Sequence, residues 1–105
     1  MSALSKKLRS VEGNRVMFWC PGCDGAHAVR VGEGTGPFWT WNGDADRPTF
    51  SPSVLVRYAG ADADKPGGCP SVCHSFVTDG RIQFLGDCTH ALAGQTVDVP
   101  DFDAP

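Results

Sequence analysis

Apolar and polar residues alternate along this chain in short runs, and glycine or proline ends nearly every run. Arg15-Val16-Met17-Phe18-Trp19 leads into Cys20-Pro21-Gly22-Cys23 and is followed by Ala26-His27-Ala28-Val29-Arg30-Val31. A two-residue period sends successive side chains to opposite faces of a strand. It puts His27, Val29 and Val31 on one face and Ala26, Ala28 and Arg30 on the other. Residues 14–19 and 26–31 therefore read as two strands joined by a Pro-Gly turn. Phe38-Trp39-Thr40-Trp41 is a short aromatic strand that stops at Asn42-Gly43-Asp44, a strong turn signal. The segment 47–53, Arg-Pro-Thr-Phe-Ser-Pro-Ser, is extended but short of N–H donors, which suits a sheet edge or a site-lining loop.

Val54 to Tyr58 reads as a strand, and residues 59–68, rich in Gly, Asp, Ala and Pro, as a loop. The clearest hairpin runs from Cys73 to Thr78, turns at Asp79-Gly80 and returns from Arg81 to Leu85. Asp-Gly favours a type I′ turn. Asp87 or Thr89 is placed to cap one short helical turn that Gly94 would stop. Gln95 to Val99 is the last strand. Leu4, Leu8 and Val11 have helical spacing, so the first residues read either as a short amphipathic helix or as a frayed end. The expected organisation is a flexible basic leader (1–12), a single zinc-binding β domain (13–100) and an acidic tail (101–105). The expected fold class is mainly β: a compact small sandwich or open barrel of β-hairpins, with a zinc-ribbon-like knuckle and one short helical turn.

Composition sharpens this picture. A chain of 105 residues fits one domain, and 41% hydrophobic content is enough to fold it. The net charge is −3, and the basic residues Lys6, Lys7 and Arg9 crowd the leader. The remainder is more acidic still, which disfavours nucleic acid as a partner. No apolar run reaches membrane-spanning length, so no membrane role is expected. The leader has no apolar core of a secretory signal. The five cysteines are then expected in a reducing compartment, as metal ligands rather than disulfides.

Those cysteines fall beside the histidines: Cys20, Cys23 and His27; Cys69, Cys73 and His74; Cys88 and His90. Mixed thiolate and imidazole donors point to Zn2+. Free cysteines are often simply small buried hydrophobes, but Pro-Gly between Cys20 and Cys23 builds the turn that a metal knuckle needs. The expected ligands are Cys20 and Cys23, completed from Cys73, His74 and His90. Cys73 and His74 point to opposite faces of a strand, so one of them is expected at the knuckle. Cys69 and Cys73 offer a four-cysteine alternative. His27 is a further ligand, a neighbour of the site, or a half-buried strand residue.

Known catalytic patterns are absent. There is no His-Glu-x-x-His, no deaminase pairing of His-x-Glu with Pro-Cys-x-x-Cys, and no Gly-x-Ser-x-Gly. One enzymatic constellation remains. Asp87, His74 and His90 can surround a metal with an open position, with Asp87 as the candidate acid or base. Residues 41–44 and 49–53 can line a pocket beside it. The plainer roles are core packing for Trp39 and Trp41, capping for Asp87, and turn hydrogen bonds for Thr49, Ser51 and Ser53.

Three motifs together carry a resemblance. They are Phe-Trp-Cys-Pro-Gly-Cys-x3-His, then Trp-x-Trp-Asn-Gly-Asp-x3-Pro-Thr-Phe-Ser-Pro-Ser, then Cys-His-Ser-Phe-Val-x-Asp-Gly-x-Ile-Gln-Phe-Leu-x-Asp-Cys-Thr-His-Ala-Leu-Ala-Gly-Gln-Thr-Val. Over residues 14–99 the chain resembles an uncharacterised family of small proteins of tailed bacteriophages and prophages, often labelled ammonia monooxygenase. The label is at odds with a chain that has no spanning helix and a thiolate-rich donor set. The resemblance implies a phage or prophage setting, the bacterial host cytoplasm, and a metal site. It matches Cys20, Cys23, His27, Asn42, Pro48, Cys73, His74, Asp87 and His90, leaves Cys69 outside, and implies that serine often stands at Cys88. The expected function is a small zinc-binding accessory protein that binds an unidentified protein partner in host takeover or counter-defence. The alternative is a small zinc-dependent hydrolase using His74, Asp87 and His90.

Overall fold

The computed structural model describes residues 2–32, 38–58 and 70–103. The expected loop 59–68 and the candidate ligand Cys69 lie outside the described residues. Among the described residues, nine strands form two antiparallel sheets. The first sheet holds β1 (Ser2–Ala3), β2 (Leu8–Val11), β3 (Arg15–Cys20) and β4 (Gly25–Arg30), in chain order. The second holds β5 (Thr40–Trp41), β6 (Phe50–Arg57), β7 (Val72–Thr78), β8 (Arg81–Phe84) and β9 (Thr96–Asp98), also in chain order. The mainly β expectation holds, with an open, sandwich-like arrangement of the two sheets.

The alternation read from the sequence decides which faces meet. Val16, Phe18 and Cys20 of β3 and His27 and Val29 of β4 are buried, while Ala26, Ala28 and Arg30 are exposed. From the second sheet, Phe50, Val54, Cys73, Val77, Ile82 and Phe84 join the same core. Phe18 stacks on Phe50 with ring centroids 6.0 Å apart, so the two sheets share one apolar interior.

The hairpin between β7 and β8 forms as expected. Asp79 (φ 51°) and Gly80 (φ 79°) both take left-handed backbone, as a type I′ turn requires. Gly80 is also confined from outside, since a Cβ there would lie 3.2 Å from the Arg47 Cα.

Three segments differ from expectation. The leader contributes β1 and β2, and Leu8 pairs opposite Phe18 with no exposed surface. Leu4 stays exposed, so a single buried leucine fixes the segment rather than a helical stripe. The tail is tied to it: Phe102 N–H donates to the Lys6 carbonyl at 2.7 Å, and the Arg9 guanidinium reaches Asp103 at 2.7 Å and lies over the Phe102 ring.

The second difference is the Pro-rich segment, which enters β6 between β5 and β7 instead of forming an edge. Its cost is visible in the ladder. The β6–β7 register shifts between Phe50 and Val54, spanning Pro52, which has no N–H to give. The third is the expected helical turn. Residues 87–94 form a succession of turns with i to i+3 bonds, Ala93 N–H to His90 O at 3.2 Å and Gln95 N–H to Leu92 O at 2.9 Å. No helix occurs among the described residues. The side chains of 87–90 are drawn onto β7 and are not free to start a helix.

Candidate functional site

Strand β7 carries two different chemistries on its two faces. Cys73, Ser75 and Val77 point into the core, while His74 and Phe76 face outward. The inward Cys73 meets the knuckle. Its Sγ lies 3.8 Å from Cys20 Sγ, a thiol contact rather than a disulfide. The ligand atoms of Cys20, Cys23, His27 and Cys73 all lie within 4.8 Å of one another. The knuckle delivers the first two because β3 ends on Cys20, the chain turns through Pro21-Gly22, and Asp24 takes φ 53° before β4. His27 follows on the inward face of β4, 4% exposed.

His90 approaches the same cysteine from the loop after β8. Its Nε2 is 3.4 Å from Cys73 Sγ, and its Nδ1 accepts from Leu92 N–H. Gly22 makes room for it, because a Cβ there would sit 2.4 Å from the imidazole. Cys73, Cys88 and His90 form a second group of ligand atoms within 4.8 Å.

The three thiols perturb one another strongly. Hydrogen bonds from Cys23 and Cys73 hold the Cys20 thiol far below its usual range, against the desolvation that raises it. The bond to Cys20 pushes Cys23 up to about 12. Cys73 is driven well above the ordinary thiol range by its bonds to Cys20 and Cys23. Crowded together, the three thiols cannot all lose their protons cheaply without a cation among them. The His27 Nε2 is buried with no hydrogen-bond partner. Buried charge and orphaned polar atoms are costly. A divalent ion at the centre of these sulfurs and the imidazole removes both costs, so the donor set fits a metal of the zinc type.

On the outward face, His74 uses both ring nitrogens. Nδ1 lies 3.0 Å from Asp87 Oδ2, and Nε2 lies 2.9 Å from Ser53 Oγ. Ser53 stands in the stretch of β6 where the register shifts, and its carbonyl accepts the Trp39 indole N–H at 3.3 Å. The His74 side chain is 24% exposed and Asp87 is 56% exposed, so solvent and ligands reach the row.

Four consecutive residues, Asp87 to His90, are laid along β7. Asp87 holds the His74 ring. Cys88 Sγ sits 3.2 Å from both the N–H and the carbonyl of His74. Thr89 N–H donates to the Val72 carbonyl, and Thr89 Oγ1 accepts from Val72 N–H. His90 then reaches Cys73. Leu85 N–H still donates to the His74 carbonyl at 2.9 Å, and beyond it these side chains supplement the ladder. Cys88→Ala should cost about 1–3 kcal/mol by orphaning His74 N–H, whereas Cys88→Ser keeps both contacts. Denaturant midpoints of the two variants compare them directly.

Of the residues expected around one metal, Cys20, Cys23 and Cys73 come together, with His27 among them and His90 beside Cys73. His74 lies in neither cysteine group, because it is on the opposite face of β7. His74 and Asp87 meet each other and Ser53, while His90 is turned away from them toward Cys73. Asn42 organises its own turn: Oδ1 accepts from Asp44 and Thr49 N–H, and Nδ2 donates to Arg47 O. Trp41 stacks on Phe50, centroids 6.5 Å apart, as a core residue. The sequence reading gave Ser53 no catalytic role. Its surroundings, Phe-Ser-Pro-Ser-Val, carry no nucleophile motif. The only pointer was a histidine and an aspartate brought together across a tight hairpin, with a hydroxyl still to be found.

A family model described as bacterial ubiquitination-like system serine protease (BubE) matches residues 3–85. The matched span includes Ser53, His74 and the three clustered cysteines; Asp87 and His90 lie beyond it. No curated protein and no solved structure matches the chain. No helix among the described residues is long and apolar enough to cross a membrane.

Proposed function

We propose, for a chain that belongs to the family of bacterial ubiquitination-like system serine proteases (BubE), that it is a serine hydrolase whose nucleophile is Ser53. The observation that carries this reading is the Ser53–His74–Asp87 row, with hydrogen-bond distances of 2.9 and 3.0 Å on the two nitrogens of one imidazole. A serine hydroxyl is a weak nucleophile until a base takes its proton. Here His74 Nε2 accepts that proton as Ser53 Oγ attacks the substrate carbonyl. Asp87 accepts from Nδ1–H, fixes the tautomer and stabilises the imidazolium that forms. His74 then returns the proton to the leaving group. Water, activated by the same nitrogen, frees the acyl group from Ser53. The irregular ladder around Ser53 supports one further part of the mechanism: main-chain N–H groups released from pairing at a bulge can face the developing oxyanion.

The metal has a separate role. Cys20, Cys23 and Cys73 would hold a zinc ion, with His27 or His90 supplying the imidazole. Bound there, zinc contributes a cross-link between β3 and β4 of one sheet and β7 of the other. This reading keeps hydrolysis from the two functions expected from sequence and moves it from the metal to a serine. The expected protein partner becomes the substrate, and a bacterial cytoplasm, in a host or carrying a prophage, keeps the thiols reduced.

A fluorophosphonate probe, which phosphonylates activated serines, tests the assignment. Mass spectrometry of the metal-loaded protein should find the adduct on Ser53 and lose it in His74→Ala. An unlabelled Ser53 in folded protein would overturn the reading.

A further inference from the structure

We infer that Leu55 and Phe76 form an apolar shelf that receives a large hydrophobic side chain of the substrate next to the scissile bond; this rests on Ser53 being the nucleophile.

The sheet geometry points to such a shelf. Leu55 is the cross-strand partner of His74, and Phe76 lies two residues along β7 from it, so all three share the outward face. Ser53, two residues before Leu55 on β6, lies among them through its contact with His74. Leu55 is 44% exposed and Phe76 42%. Among the described residues just one other large hydrophobic, Leu4, is so exposed, and it belongs to the other sheet's end of the chain. Exposed leucine and phenylalanine on an otherwise alternating strand do not help the fold. The position opposite Phe76 on β8 is polar, Gln83. Their position beside the reacting atoms supplies the reason for them.

The topology also limits where a substrate chain can lie. Substrate strands often add to a free sheet edge and are gripped by main-chain hydrogen bonds. Here β7 lies between β6 and β8, and β5 pairs with β6 only at Phe50 and Ser51. Strand β7 therefore has no free edge, whereas β6 beyond Ser51 is paired on one side only among the described residues. A substrate whose scissile bond reaches Ser53 and His74 lies against the outward face of the sheet, where side chains contact it. The side chains available beside Ser53 and His74 are Leu55 and Phe76, so selection falls on an apolar group of the substrate. Asp87 on the other side of His74 adds negative charge, which disfavours an acidic residue at the same place.

Internally quenched peptides that differ only in the residues flanking the cleaved bond test this. The wild-type protein should cleave peptides carrying Leu or Phe at one flanking position at least about tenfold more efficiently, in kcat/KM, than those carrying Ser or Asp. Leu55→Thr and Phe76→Thr keep strand propensity and should erase that preference, mainly through KM, while fluorophosphonate labelling of Ser53 continues at its normal rate. Labelled variants that retain the full preference would overturn the shelf, as would a wild-type profile indifferent to the flanking residues. Absent labelling of the folded wild type would instead overturn the serine mechanism, and the shelf with it.

Discussion

Ser53→Ala should reduce substrate turnover by about 10⁴–10⁶-fold, the range seen when a triad nucleophile is removed. Fold and metal content should be unchanged, because Ser53 lies on the outward face of β6 and touches none of the clustered cysteines. The same loss is expected from His74→Ala, and the double variant should be no worse than either single one, since the two groups act in one step. Asp87→Asn should lose about 10⁴-fold. An amide keeps the hydrogen-bond length but lets Nδ1 act as acceptor, which puts the proton on Nε2 and blocks it as a base. His90→Ala separates this scheme from metal-dependent hydrolysis. If the metal did the chemistry, Ser53→Ala would stay active. In the serine scheme His90 influences turnover only through the stability of the cluster at Cys73. Steady-state rates of the four variants, with metal content measured on the same samples, distinguish the two.

Exhaustive chelation should unfold the domain. A structural zinc site contributes roughly 10–16 kcal/mol of apparent binding free energy, while a domain of this kind has about 5–15 kcal/mol of total stability. The two ranges overlap, so the protein without metal should keep little tertiary structure. The structure says where the loss would be felt. Cys20 closes β3, Cys23 stands two residues before β4, and Cys73 belongs to β7 of the other sheet. The cluster therefore joins the sheets at one end of a core that has Phe18 against Phe50 further in. Trp19 sits beside Cys20, and Trp39 and Trp41 pack against the same core, so their fluorescence should report the collapse. Activity should vanish together with the fluorescence signal, because His74 follows Cys73 directly in the chain. Chelation that stopped turnover while the tryptophan spectrum stayed native would mean the metal acts in catalysis. Metal affinity should rise with pH. Cys23 and Cys73 hold their protons tightly when only thiols surround them, and binding must release those protons.

Much of the scaffold was legible from local chemistry. The alternation in 26–31 put His27 and Val29 on one face and Arg30 on the other, and the fold buries the first of these faces. Asp79-Gly80 specified its hairpin, since two consecutive left-handed residues are cheapest with that pair. Period-two geometry also separated Cys73 from His74 before any fold was known. The leader was harder. Its burial depends on one residue, Leu8, finding Phe18 across a strand pair, and the spacing of Leu4, Leu8 and Val11 suggested a helix instead. The stretch 87–94 carried good capping residues, but those side chains are used on β7 and are unavailable to start a helix.

The sequence by itself determined that a knuckle, a hairpin and a histidine-bearing strand would exist, because turn chemistry and side-chain period act over a few residues. Only the tertiary structure decided which groups His74 meets. Ser53 and His74 are 21 residues apart in the chain and meet because β6 pairs with β7. The register shift between Phe50 and Val54 breaks the alternation at the point where it would have been needed to assign Ser53 to a face. Likewise His27 and His90 both reach the cysteines, one through a strand and the other through a loop laid across β7. Cross-strand register and loop path are properties of the folded sheet, and no local pattern encodes them.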